Sequence, residues 1–183
     1  MAIILNKGQS RAFKDCKKWF LKGTKQVFKI MGYAGTGKTT IVMLLMQELG
    51  LNPLTDVLFV TYVGKAALAL RRNGLPAKTI HSSFYYRAED YVIGPDGLPL
   101  ILPNGRHKKK SEFKLKPEID PRIKLIVVDE AAMVNKKISD DIKSFGVPVL
   151  ALGDPGFSWL GINFFNCGDS CKEYNTKLRW WHA

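Results

Sequence analysis

"GYAGTGKT", Gly32 to Thr39, decides the fold. It fits the pattern G-x-x-x-x-G-K-[ST] in full. In front of it, "QVFKIMG" (26–32) reads as a short apolar strand; behind it, Lys38 to Leu49 reads as a helix that stops at Gly50. A glycine-rich turn in that setting lets backbone N–H groups close around a phosphate, and the helix N-terminus adds partial positive charge. Lys38 is placed to reach β- and γ-phosphates, and the Thr39 hydroxyl to hold Mg²⁺. Gly32, Ala34, Gly35, Thr36, Gly37, Lys38, Thr39 and Thr40 are therefore the candidate ATP-binding residues. The plain alternative, a glycine-rich surface turn with a solvated lysine, has no need of the flanking strand and helix.

Outward from this turn, strands and helices alternate. Residues 8–22 place Ala12, Phe13, Cys16, Trp19 and Phe20 at helical spacing with lysines between, which is an amphipathic helix. "VLFVTY" (57–62) reads as a second strand, Gly64 to Asn73 as a helix, and Thr79 to Tyr86 as a short helix opened by Thr79. "IKLIVVDE" (123–130) is a continuous apolar run, as a central strand buried on both faces requires. Asn135 to Phe145 predicts a helix and "VPVLAL" (147–152) a fourth strand. This order predicts an α/β fold with a parallel sheet. Between them, residues 91–116 carry Gly94, Pro95, Gly97, Pro99, Pro103 and Gly105 between β-forming pieces, which predicts an inserted hairpin with basic arms.

The run ending at Asp129-Glu130 supplies the second half of a site. Acids at the end of a parallel strand point into the ligand crevice. Asp129 is placed to share Mg²⁺ with Thr39, and Glu130 to take a proton from an attacking water. Lys38, Asp129 and Glu130 are the candidate catalytic residues; Thr39 and Asp129 are the candidate metal ligands. An Asp-Glu pair after a strand is often a solvated turn, and its weight comes from following a complete phosphate-binding turn.

Composition agrees with a polyanionic partner. The 183 residues carry 28 Lys and Arg against 16 Asp and Glu, a net charge of +12. Residues 1–30 hold Lys7, Arg11, Lys14, Lys17, Lys18, Lys22, Lys25 and Lys29 against Asp15 alone. Residues 105–125 hold a second basic cluster that includes Lys108, Lys109 and Lys110. No apolar run reaches the roughly 18 residues of a membrane span, and no secretory leader is expected. Three cysteines, Cys16, Cys167 and Cys171, form no disulfide framework, so a reducing cytoplasm is expected. Cys167 and Cys171 lack the second ligand pair that zinc requires.

"GYAGTGKTT", "VTYVGKAALALRRNG", "TIHSSFYY", "VVDEAAMV" and "LALGDP", in that order, resemble successive motifs of superfamily-one DNA helicases of the RecD- and Dda-like, phage-type branch. The resemblance runs from about Leu5 to Gly156. It implies a RecA-like P-loop ATPase domain over residues 1–156, with 87–116 as the small β-hairpin insertion that helps split a duplex. It implies ATP and Mg²⁺ as cofactors and single-stranded or forked DNA as partner, along with other replication or recombination proteins. Gln9 matches the adenine-reading glutamine; without the resemblance it is a polar residue before a helix. Thr61, Gly64 and Lys65 match one strand-holding motif, and Thr79, His81 and Ser82 another. Phe84, Tyr85 or Tyr86 would stack on bases, although aromatics at this spacing are equally often core. Asp154 matches the acid of the next motif and is expected beside the nucleotide.

That motif continues to glutamine in the family, but Phe157 stands there in this chain. Residues 157–183 match nothing expected and are too few for a second RecA-like domain, which in the family supplies an arginine finger. The expectation is a helicase-type ATPase half, truncated and unable to unwind alone, working in a phage host's cytoplasm. Two other readings stand beside it: a nucleotide- and DNA-binding module without turnover, and a small P-loop phosphotransferase. No arginine-rich lid supports the latter.

Overall fold

The computed structural model describes residues 4–154. The first helix, α1, spans Lys7–Lys22. Asn6 and Gln9 start it reciprocally: the Asn6 side chain accepts the Gln9 N–H at 2.9 Å, and the Gln9 side chain accepts the Asn6 N–H at 3.0 Å. Gln9 thus lies within the first turn rather than before the helix. Ala12, Cys16 and Trp19 face inward. The chain continues through β1 (Val27–Met31), α2 (Lys38–Leu49), β2 (Val57–Thr61), α3 (Gly64–Arg72), β3 (Lys78–Thr79) and α4 (Ile80–Phe84). It then forms β4 (Tyr85–Tyr91), β5 (Lys109–Leu115), β6 (Leu125–Asp129), a 3₁₀ turn (Ala131–Met133), α5 (Lys136–Ser144) and β7 (Val149–Gly153).

Five strands make one parallel sheet in the order β1-β7-β6-β2-β3. Its core has two layers. On one face α1, α2 and α3 pack Trp19, Ile41, Leu45 and Leu70 against Ile30, Phe59, Val127 and Leu150. On the other, α4 and α5 pack Ile80, Phe84, Ile138 and Ile142 against Val60, Ile126, Val128 and Ala151. Residues 125–128 of β6 are all buried, because neighbours on both sides and helices on both faces surround them. The expected parallel α/β sheet with a hairpin insertion is the fold observed.

Two local expectations change. The sheet gains β3, whose two residues are too short for any periodicity to register. The short helix ends at Phe84, and Tyr85, extended at φ −122° and ψ 156°, begins β4 instead. The antiparallel pair β4–β5 runs in register from Tyr85↔Leu115 to Tyr91↔Lys109. At its root the Tyr85 hydroxyl donates to Asp141 at 2.6 Å, Phe84 stacks on Phe145 at 5.4 Å, and the Lys116 ammonium donates to the carbonyls of Ser82 and Ser83. Burial and the adjoining Asp141 carboxylate push the Tyr85 hydroxyl's pKa up, which keeps it a donor. Phe84 and Tyr85 are therefore core residues, not base-stacking ones; of the three, Tyr86 is the exposed ring. No helix among the described residues is long and apolar enough to cross a membrane. The segment from Phe157, with Cys167 and Cys171, lies outside the described residues.

Candidate nucleotide-binding site

Parallel register brings the strand ends to one edge. Met31 of β1 sits beside Gly153 of β7, and Asp129 of β6 beside Thr61 of β2. A cavity of about 690 Å³ opens there, lined by residues 34–40, Asp129, Glu130, Ala132, Met133, Gly153 and Asp154. The strand-end acids lie about 90 residues beyond the glycine-rich turn in sequence and Asp154 further still, and the sheet gathers them. Gly32 lies buried beneath the turn. Ala132 and Met133 line the cavity without having been singled out by sequence; their position directly after the acidic pair was the available signal.

The turn is held from three sides. The Thr36 hydroxyl donates to the Tyr33 carbonyl at 2.8 Å, and the Lys38 ammonium donates to the carbonyls of Gly32 and Tyr33. From α1, the Gln9 amide donates to the Thr36 carbonyl at 3.1 Å. Both ends of that amide are thus engaged, one on the helix cap and one on the glycine-rich turn. Gly37 sits between them at φ 81°, and a Cβ there would lie 2.8 Å from the Gln9 nitrogen. Gly37→Ala should therefore displace Gln9 and add left-handed strain of about 1–2 kcal/mol. The expected readouts are a melting temperature lower by roughly 2–8 °C and weaker nucleotide binding. An unchanged melting temperature would mean that Gln9 does not brace the turn.

Charge is poised around the cavity. Burial pushes the pKa of Asp129 up, and Lys38 opposes that shift. Burial pushes Lys38 down, and Asp129 and Asp154 oppose it. Asp129 also accepts the Glu130 N–H at 3.0 Å. Glu130 is raised by burial first and by the Asp129 charge second. It is the one non-glycine among the described residues with positive φ, at 53°. A left-handed glutamate costs about 1–2 kcal/mol, a strain that clusters at functional sites. Asp129, half-buried and with a raised pKa, is a carboxylate that a bound cation would stabilise in its ionised form. Among the described residues no three His, Cys, Asp or Glu side chains form a metal cluster. Thr39 and Asp129 both line the cavity and could hold a small octahedral cation together with phosphate oxygens.

A family model described as "AAA domain" matches residues 20–156. The chain belongs to the AAA-domain family. Gln9 lies ahead of the matched segment. Among solved structures, this AAA domain is similar to Pif1 from Bacteroides, crystallised with single-stranded DNA. The TM-score is 0.55 with 21% identity, over 99% of this chain and 44% of that one. Pif1 helicase from Candida albicans is a weaker match, with a TM-score of 0.47 and 18% identity over 84% of this chain and 33% of that one. The AAA domain thus spans less than half the length of either Pif1 chain. No curated protein matches it.

The candidate strand-contacting residues gather at the β2–β3 side of the same edge but differ in accessibility. Gly64 and Lys65, at the start of α3, are exposed. Thr61 is fully buried, and its hydroxyl has no hydrogen-bond partner among the described residues. Its side chain faces protein, so a strand on the surface would meet only its neighbours. Thr79 and Ser82 bond each other: the Ser82 N–H donates to the Thr79 hydroxyl, which in turn donates to the Ser82 hydroxyl at 3.0 Å. They cap α4. His81 packs within 5.4–6.1 Å of the Tyr62, Tyr85 and Phe113 rings. Tyr62 and Phe113 were missed as neighbours because β5 brings Phe113 back from 32 positions along the chain. On the hairpin, Lys109 pairs with Glu89 and Lys114 with Asp90, exposed contacts that contribute little to stability.

Proposed function

We propose that this AAA domain is the ATP-binding and ATP-hydrolysing RecA-like lobe of a superfamily-one DNA helicase, of the RecD- and Dda-like phage-type branch. The observation that carries the proposal is the convergence of residues 34–40, Asp129, Glu130 and Asp154 on one cavity. Backbone N–H groups of the turn and the Lys38 ammonium bind the phosphates. Thr39 and Asp129 orient the metal. Glu130 removes a proton from water, and its raised pKa brings it nearer the working range of a general base. Bound Mg-ATP would supply the electrophilic γ-phosphate and neutralise the charge that develops on it. The single-stranded DNA crystallised with the Bacteroides Pif1 chain supports single-stranded DNA as the nucleic acid, and forked DNA extends the same proposal. Contact with other replication or recombination proteins, in the cytoplasm of a phage host, completes the proposal.

Lys38→Ala tests the nucleotide assignment. Losing a charge-assisted phosphate contact of about 1.5–3 kcal/mol should weaken ATP affinity roughly 10- to 100-fold in calorimetry. Equal affinity for both proteins would reject the site.

A further inference from the structure

Helix α1 has a second face that the nucleotide site does not use. Lys7, Arg11, Lys14, Lys18 and Lys22 follow one another at spacings of four, three, four and four residues. At 3.6 residues per turn these positions fall within about 80° of the helix surface and extend about 22 Å along it. All five are exposed. Lys7, Lys14, Lys18 and Lys22 have no ion pair among the described residues. Lys17, off the row, pairs with Glu48 of α2. Asp15 is the helix's single acid, at the row's margin. The hairpin lysines differ, since Glu89 and Asp90 partly compensate them.

The position of the row separates it from the candidate strand-contacting residues. Helix α1 packs on α2 and on β1, one edge of the sheet. Thr61, Gly64, Lys65, Thr79, His81 and Ser82 lie around β2 and β3, the opposite edge. Four inter-strand gaps separate the two edges, about 19 Å.

The chemistry of the face selects its partner. A membrane-surface helix must leave its apolar face free to enter the lipid. Here Ala12, Cys16 and Trp19 are buried, and Phe13 and Phe20 pack on the core. Of the large apolar residues of α1 only Leu21 is exposed. Single-stranded nucleic acid is held by aromatic stacking platforms as well as by charge. The row offers no exposed aromatic ring. What remains is a straight, rigid line of cations, which suits a duplex presenting one phosphate charge per about 1.7 Å of its axis.

We propose that the exposed face of α1 is a second nucleic-acid surface, which takes the sugar–phosphate backbone of a duplex without reading its sequence. The choice of nucleic acid among polyanions rests on the helicase-lobe reading. The test is the variant K7Q/K14Q/K18Q/K22Q, whose glutamines preserve helix propensity. Anisotropy would compare a labelled blunt duplex of about 20 base pairs with an oligothymidylate of equal length, across a salt series. Removing four phosphate contacts should reduce the duplex's log–log salt slope by about 3.6, with weaker binding at every salt concentration. The oligothymidylate slope should change by less than one. Nucleotide affinity and melting temperature should match wild type. An unchanged duplex slope, or equal losses for both probes, would overturn the proposal. Failure of the wild-type protein to bind ATP would strike the helicase reading instead and would leave the duplex comparison independent.

Discussion

Replacing Glu130 by Gln should suppress steady-state ATP hydrolysis by about 10²–10⁴-fold, the usual contribution of a positioned general base. The substitution keeps the shape of the side chain and removes its ability to accept a proton. ATP affinity should stay near the wild-type value, because Lys38, Thr39, Asp129 and the backbone of the turn are untouched. That separation of binding from turnover distinguishes Glu130→Gln from Lys38→Ala, which should fail at binding. Phosphate release and calorimetry on the same preparation give both readouts. Turnover within tenfold of wild type would move the base elsewhere in the cavity, with Asp154 the next carboxylate on its wall.

The 183-residue protein should show no ATP-dependent strand displacement, even where it hydrolyses ATP. Unwinding needs two RecA-like lobes that close on ATP and open after hydrolysis, each gripping the strand in turn. The described residues form one lobe, with one sheet and one hairpin. An arginine finger contributes on the order of 10³–10⁵ in rate in related phosphoryl-transfer enzymes. In helicases of this type it comes from the second lobe. On the helicase reading, DNA should stimulate turnover only slightly, because Phe157 stands where the resembled helicases have the glutamine that couples γ-phosphate to the strand. A strand-displacement assay on a forked substrate checks this. Robust unwinding by these 183 residues would show that self-association or residues beyond Asp154 do the work assigned to a second lobe.

Most of the candidate nucleotide site was legible in the sequence because its parts are local. A turn that cradles phosphate needs glycines, a lysine and a hydroxyl at fixed spacing, and Gly32–Thr39 has them within eight positions. Asp129 and Glu130 were legible because a strand buried on both faces is apolar throughout, so its polar end is conspicuous. The nucleic-acid side was less legible. Thr61, Phe84 and Tyr85 belong to motifs read as strand-contacting or stacking, yet all three are buried. A sequence pattern fixes which residue occupies a position, but burial depends on what packs over it. Phe84 meets Phe145, and Tyr85 meets Asp141, from α5 and the turn after it, more than 50 positions away.

By itself, then, the sequence determined the order of the longer strands and helices, the glycine-rich turn, the acidic pair and the net charge, since all but the charge rest on neighbours within one or two turns of chain. Only the tertiary structure decided that Gln9 braces the turn through Thr36, that β3 adds a fifth strand, and that Glu130 is held left-handed beside a raised Asp129. It also decided that the lysines of α1 face outward at the sheet edge opposite the strand-contacting candidates. The reason is physical: register, packing and desolvation are set by partners distant in sequence, and local spacing carries no information about which partners these are.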